Sequence, residues 1–74
     1  MATAAEASGP LEVELAPMRR RHLRSVLRIE AIVYPRPWSL SLFMSELALR
    51  GTRSYTVARV GSTVVGYCGL MLGT

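Results

Sequence analysis

His22 and Cys68 are the only residues of this chain whose side chains commonly bind soft metal ions. A zinc site takes three or four protein ligands, so this pair is too small to form one. As a nucleophile, Cys68 would need an adjacent base. The one candidate base, His22, falls in the first turn of a predicted helix far along the chain. The sequence contains no Asp or Lys either, so we expect no metal site, no P-loop or Schiff-base lysine and a buried Cys68.

Arginine supplies all of the basic character of the chain. Nine Arg and five Glu give a net charge of +4, with no Lys, Asp, Asn or Gln, and this balance weakly favours anionic partners. Arginine occupies positions 19–21 and, shortly after them, positions 24 and 28. The side chains of Arg20, Arg24 and Arg28 could contact RNA phosphates. Basic helices also bind membranes or partner proteins. No aromatic residues are interleaved for base stacking, so we expect a solvated arginine face, with no DNA and no membrane as partner.

Aromatic residues and one glutamate offer a site for a peptide. Tyr34 and Trp38 could line a peptide slot with their flat faces and polar tips, although Trp38 could instead fill the core beneath the second helix, which we favour. Tyr67 could face the same slot or simply pack. Glu30 could hold a substrate amine or accept hydrogen bonds from the backbone of the following Pro-rich loop. For Glu30 we favour the role in the loop, and we expect Glu46 on the surface or between the helices.

The N-terminal part of the chain is predicted to be a leader and one strand. Residues 1–10 are small and polar and indicate a disordered leader. Over 11–16 apolar side chains alternate with glutamates and an alanine, and this period of two indicates a half-buried strand that Pro17 ends. We expect the face that carries Leu15 to be the buried one.

Two helices are predicted next. The first covers 19–33 and begins without a Ser, Thr, Asp or Asn cap, and its arginines oppose the helix dipole. The second covers 40–49, with Ser39 as its N-cap and Gly51 as a left-handed terminator. Apolar residues at three- and four-residue steps define the faces expected to be buried. These are Leu23, Val26, Leu27, Glu30 and Val33 in the first helix, and Leu40, Phe43, Met44 and Leu47 in the second.

A β-hairpin follows the helices. Strand-forming residues at 54–60 and 63–72 flank Gly61-Ser62, which suits a tight turn. The last strand is apolar on both faces, as in a central strand covered on each side, and Gly66 and Gly69 within it indicate a bulge or a close approach. The order strand-helix-helix-strand-strand predicts an α/β fold. Such a short chain offers little material to cover that strand, so we expect residues 11–74 to be the first half of a larger domain.

Several features point to a location inside the cell. The N-terminus lacks a basic region followed by an apolar run, so no signal peptide is predicted. The longest apolar stretch, 64–73, is half of the about 20 residues that a membrane helix needs. A single cysteine excludes an internal disulfide, which fits a reducing environment. We therefore expect a soluble, cytoplasmic protein.

Several short motifs resemble a known enzyme family. They are Ile29-Glu30, Pro37-Trp38-Ser39, Phe43, Glu46-Leu47, Tyr55-Thr56-Val57-Ala58 and Val64-Val65-Gly66-Tyr67-Cys68-Gly69. Together they resemble the N-terminal half of GNAT-fold N-acetyltransferases, and most closely the ribosomal-protein-alanine acetyltransferases of the RimI type. The resemblance covers about residues 11–74, and the order of predicted elements is similar to the opening of that fold.

The resemblance implies a partial GNAT fold with a mixed, largely antiparallel sheet and without the C-terminal half of the domain. It also implies acetyl transfer from acetyl-CoA to the α-amino group of a protein N-terminus, in the type case a ribosomal protein. In that family the connection between the first two helices helps to form the acceptor slot. The matching segment here is Tyr34, Pro35, Arg36, Pro37 and Trp38, and we add Tyr67 as a candidate substrate-binding residue.

One departure from the family pattern limits what this chain can do alone. The acetyl-CoA-binding motif of the family, R/Q-x-x-G-x-G/A, does not occur in the 74 residues. The late-chain Glu and Tyr that the family uses as acid and base are likewise not among these residues. We therefore predict no catalytic and no cofactor-binding residues and, for the isolated chain, no activity. The alternative is a small non-enzymatic basic adaptor that binds RNA or a protein partner, and whose last strand pairs with another chain.

Overall fold

The computed structural model describes residues 12–73. The predicted leader at 1–10 and the first residue of the predicted strand, Leu11, lie outside the described residues. The elements are β1 (Glu14–Pro17), a 3₁₀ turn (Arg20–His22), α1 (Leu23–Val33), α2 (Leu40–Leu47), β2 (Arg53–Val60) and β3 (Thr63–Met71). The predicted α/β class and order of elements are thus confirmed for this part of the chain. Neither helix in residues 12–73 is long and apolar enough to cross a membrane.

The three strands form one antiparallel sheet in the order β1-β2-β3. Gly61 has φ 60° and, with Ser62, makes the predicted two-residue turn, which places Val60 opposite Thr63. Glycine adopts this left-handed conformation without the steric penalty that a Cβ would bring. Within residues 12–73, β3 is an edge strand, and the predicted central position would require a further strand from outside these residues.

A β-bulge interrupts the pairing of β2 with β3. Arg59 lies opposite Val64 and Ala58 lies opposite Gly66, so Val65 is an extra residue on β3. A bulge of this kind shifts the pairing by one position and reverses the faces of the residues that follow it. The bulge predicted from the glycines is therefore present, immediately before Gly66.

Both helices pack on one face of the sheet and enclose a small core. Val26 of α1, Phe43 of α2 and Val57 of β2 are almost completely buried, and Met18, Leu23 and Val64 complete the cluster. The predicted buried faces of the two helices are correct in the middle of each helix, but not at the helix ends that border the loop between them. Val33 and Leu40 are exposed because they flank the loop between the helices rather than the sheet.

The other face of the sheet has no cover among the described residues. Leu15 is 74% exposed, whereas Ala16 packs against the core, so the predicted orientation of β1 is wrong. The register explains why, because Ala16 pairs with Val57 on the helix-covered face. Cys68 is also exposed rather than buried, since the bulge turns it to the open face.

The start of α1 is stabilised by His22, which was not predicted to be a helix cap. His22 is buried, and its Nδ1 accepts a hydrogen bond of 2.9 Å from the backbone N–H of Arg19. The backbone N–H of His22 in turn donates to the Arg19 carbonyl at 2.9 Å. Burial, together with the charges of Arg21, Arg59 and Arg19, lowers the pKa of His22, so the fold retains the neutral ring.

The end of α2 also differs from the prediction. Gly51 is not left-handed, because among the described residues only Gly61 has a positive φ. The helix ends at Leu47, and Ala48 keeps a right-handed conformation. Two hydrogen bonds to the Leu49 carbonyl, from the N–H groups of Thr52 at 3.1 Å and Arg53 at 2.8 Å, lead the chain into β2.

The buried His22 predicts a pH-dependent stability. Because its folded-state pKa lies below the ordinary value of 6.5, the unfolded chain binds the proton first as the pH falls. The free energy of unfolding should therefore be fully developed above about pH 6.5 and decline progressively as the pH falls below that value. Urea denaturation across this range measures it. His22→Gln, which retains a neutral acceptor, should flatten the decline, and a decline of wild-type steepness in that variant would contradict the assignment.

Candidate functional site

The loop between the helices is ordered at both ends by local hydrogen bonds. The backbone N–H of Tyr34 donates to the Glu30 carbonyl at 3.0 Å, and Tyr34 then turns to an extended conformation. Ser39 is the N-cap of α2, as predicted, and its Oγ accepts from the N–H of Leu42 at 3.2 Å. Proline disfavours helical geometry in the residue before it, so Pro35 and Pro37 keep the segment between these caps out of the helix.

Glu30 joins three separate elements. Its side chain is buried on α1. Oε2 accepts a hydrogen bond of 2.9 Å from the backbone N–H of Trp38, and Oε1 accepts one from the hydroxyl of Tyr67 on β3. The expectation that Glu30 orders the Pro-rich loop is thus confirmed, and the carboxylate also fixes the loop to the sheet.

Three aromatic rings extend from the core to the surface beside this carboxylate. The Phe43 ring is buried, with the Trp38 ring 5.1 Å away, centroid to centroid, and tilted by 57°. The Tyr67 ring meets Phe43 edge-on at 6.0 Å, an arrangement that aromatic pairs prefer. Trp38 is 39% exposed. The assignment of Trp38 to the core is therefore wrong. Phe43 fills the core position beneath α2, and the Trp38 ring covers Phe43.

These side chains line a cleft of about 340 Å³, which we call the aromatic cleft. It brings together three of the five predicted substrate-binding residues, Tyr34, Trp38 and Tyr67. Pro35 and Pro37, although predicted, do not line the cleft and are exposed in the loop. The full lining is Glu30, Tyr34, Arg36, Trp38, Phe43, Tyr55, Tyr67 and Gly69.

Tyr55 and Gly69 also line the cleft, although neither was predicted from the sequence. They lie opposite each other in the β2–β3 pair, and the Tyr55 ring packs directly over the Gly69 backbone. The two-residue turn alone would have placed Tyr55 opposite Cys68, so the bulge creates this pairing. A bulge was expected near Gly66 or Gly69, but the sequence offered no way to choose its position, which decides the partner of Tyr55.

Tyr55 is held at its hydroxyl end by a second carboxylate. Its hydroxyl donates to Glu46 Oε1 at 2.7 Å, and Arg53 Nε donates to the same oxygen at 2.8 Å. The prediction of a surface or helix-pairing role for Glu46 is wrong, since its side chain links α2 to β2. The hydrogen bonds from Tyr55 and Arg53 outweigh desolvation and lower the pKa of Glu46.

Both phenols of the cleft remain protonated at neutral pH. Burial, followed by the hydrogen bond and charge of Glu46, raises the pKa of Tyr55 to about 12. Burial also raises the pKa of Tyr67, and the hydrogen bond and charge of Glu30 and the neighbouring Tyr34 add to the effect. Tyr55 and Tyr67 can therefore donate hydrogen bonds, but neither can act as a base near neutral pH.

The charge of Glu30 has no cationic partner in the described part of the chain. The ion pairs found in residues 12–73 are Arg53–Glu46 at 2.8 Å and Arg59–Glu14 at 3.5 Å. Arg36 lines the same cleft but makes no ion pair with Glu30 there. A buried carboxylate with neutral donors only is suited to receive a cation from a ligand.

Two further observations bear on the identity of the site. Among residues 12–73, no three His, Cys, Asp or Glu side chains lie close enough together to hold a metal ion. In comparisons with known proteins, the chain matched no protein-family model, no curated protein and no solved structure. The resemblance to acetyltransferases therefore remains a prediction from the sequence motifs.

The packing of Tyr55 on Gly69 can be tested with two alanine substitutions. A Cβ on Gly69 would lie 2.7 Å from Tyr55 Cδ1, whereas one on Gly66 would meet nothing within 4 Å. Gly69→Ala should therefore lower the free energy of unfolding by about 1–3 kcal/mol through overpacking, and Gly66→Ala should leave it nearly unchanged. Urea denaturation of both variants measures the difference.

The same substitution in a Tyr55→Leu background provides the control. If the Tyr55 ring is the obstacle, Gly69→Ala should lose most of its effect there, because the two positions are coupled. An equal loss of stability in both backgrounds would show that the contact with Tyr55 is not the cause.

Proposed function

We propose that this chain forms the acceptor-binding part of a GNAT-type N-acetyltransferase that modifies the α-amino group of a protein N-terminus. The observation that carries the proposal is the buried Glu30 carboxylate, without a cationic partner in residues 12–73, in an aromatic cleft. The acceptor that we propose is a ribosomal protein beginning with alanine, and the compartment is the cytoplasm. Both follow from the sequence resemblance and not from the comparisons.

The chemistry of the cleft suits a peptide N-terminus. An α-ammonium group can form a charge-assisted hydrogen bond with an oxygen of Glu30 that still has a free lone pair. The exposed faces of Tyr34 and Trp38 can contact the first peptide units and attract the cation through their π systems. A volume of about 340 Å³ lies at the small end of the range for ligand sites, which favours one terminal residue over a long segment.

In this proposal the residues of the cleft bind and orient the acceptor rather than transfer its proton. Glu30 is engaged by Trp38 and Tyr67, and the raised pKa of Tyr67 keeps its phenol protonated. Acetyl-CoA would supply the acetyl group, so that a C–N bond forms as the C–S bond breaks and the coenzyme leaves as a thiol. The base and the coenzyme site are proposed to lie outside the described residues.

The open side of the sheet supports the proposal of a half-domain. Apolar side chains such as Leu15 and Leu70 are more than half exposed on the uncovered face, and the edge of β3 has no partner strand within residues 12–73. Surfaces of this kind are normally covered in a stable protein. Further α/β structure against this face and edge would bury them, as expected for the rest of a GNAT domain.

Peptide titration tests the acceptor role. A peptide with a free N-terminal alanine should bind the chain, and the same peptide with an acetylated N-terminus should bind at least about tenfold more weakly, a difference of about 1.4 kcal/mol. Glu30→Gln should weaken the free peptide similarly, because an amide can still meet Trp38 and Tyr67 but carries no charge.

Glu14→Gln is the matched control, since it removes one negative charge from an exposed position outside the cleft. Circular dichroism of both variants checks that they remain folded. Equal binding of the free and acetylated peptides, or equal weakening by Glu14→Gln, would contradict the proposal.

The family assignment has a separate test in the coding region beyond codon 74. All three reading frames should be examined for an R/Q-x-x-G-x-G/A motif followed by a helix and a late Tyr, which the proposal predicts. In calorimetry the 74-residue chain should bind acetyl-CoA no more tightly than 3′-phospho-ADP, the phosphate-bearing part of the coenzyme. A stop without such a motif, or markedly tighter binding of acetyl-CoA than of 3′-phospho-ADP, would contradict the proposal. The stop would favour the basic adaptor instead.

A further inference from the structure

A second cleft, which we call the arginine cleft, lies on the far side of Tyr55. It has a volume of about 520 Å³ and is bounded by the end of β1, the 3₁₀ turn, the end of α2 and the start of β2. Five of its lining residues are arginines, and only one is acidic, Glu46. The arginines are Arg19, Arg20, Arg21, Arg50 and Arg53.

The positive charge of this cleft is not neutralised within the described residues. Glu46 already accepts hydrogen bonds from Arg53 and Tyr55. The other four arginines form no ion pair in residues 12–73. Five arginines therefore line the cleft beside one carboxylate that is already engaged, and like charges on neighbouring residues repel each other.

The helix that begins here increases the positive potential. Arg19, Arg20 and Arg21 precede α1, whose first turn contains no acidic residue. The N-terminus of a helix is the positive end of its dipole and favours anions over cations. Folding thus concentrates positive charge at a point where an anion would be stabilising.

The arginines of the arginine cleft differ from those on the exposed face of α1, because they line a concave surface. Arg24 and Arg28 are exposed on α1 and do not line the cleft. Of the three residues considered for RNA contact, the cleft contains only Arg20. Arg50 and Arg53, which come from the end of α2 and from β2, complete it. A concave group of guanidinium donors favours a compact anion over an extended strand.

We propose that the arginine cleft binds the polyphosphate group of a small molecule. Guanidinium groups pair with phosphate oxygens through two parallel N–H···O hydrogen bonds, and several phosphates in a row can engage arginines from both walls. This binding function is independent of the acceptor role proposed for the aromatic cleft, and neither requires the other.

Calorimetry with inorganic triphosphate and with ATP at about 0.15 M ionic strength tests the proposal. Both compounds should bind the 74-residue chain. Arg20→Gln combined with Arg50→Gln should weaken binding at least about tenfold, whereas Arg24→Gln combined with Arg28→Gln, which removes the same charge outside the cleft, should change it less than about twofold. Equal affinity for the two compounds would identify the phosphates as the whole ligand. Tighter binding of ATP would identify a nucleotide.

Thermal denaturation provides a readout that does not depend on the binding heat. Triphosphate should raise the Tm of the wild type and of the Arg24/Arg28 variant but not that of the Arg20/Arg50 variant. Three results would overturn the proposal. They are the absence of binding, equal weakening in the two double variants, and tight binding of single-stranded RNA that depends equally on all four arginines.

Discussion

The β-bulge at Val65 is the constraint on which the rest of this structure depends. Val64 and Tyr67 both face the helices although they are three residues apart, and a regular strand would place them on opposite faces. The extra residue makes their shared orientation possible. It brings the Tyr67 hydroxyl to Glu30 and turns Cys68 outward. Without this shift, the aromatic cleft would have neither Tyr67 nor the pairing of Tyr55 with Gly69.

Glu30 then links the sheet to the loop between the helices and so orders that loop. A buried carboxylate is unfavourable unless it is hydrogen-bonded, and here the Trp38 N–H and the Tyr67 hydroxyl meet that need. These two neutral donors occupy about half of the acceptor sites of the carboxylate, and they bring no positive charge. The loop is thus fixed by a carboxylate that has no cationic partner within residues 12–73, and the ammonium group of the proposed ligand would supply one.

The parts that could be predicted from the sequence are those governed by local interactions. Gly61-Ser62 specifies a tight turn by backbone conformation alone, and Ser39 caps α2 within one turn. Errors arose where distant residues decide the outcome. The buried face of β1 follows from pairing Ala16 with Val57, and the exposure of Cys68 follows from the bulge. Likewise, no local pattern places Arg50 and Arg20 in the same cleft, because that arrangement requires the complete fold.

Tyr55 connects the two clefts, which differ in charge. Its ring lies over Gly69 in the aromatic cleft, and its hydroxyl reaches Glu46 in the arginine cleft. Arg53 holds the same Glu46 oxygen, so an anion that draws the Arg53 guanidinium away leaves Tyr55 as the remaining hydrogen-bond donor to that oxygen. The ring is confined by the Gly69 backbone at one side and by Glu46 at its end. Tyr55 is thus a wall shared by the two clefts, fixed from both sides.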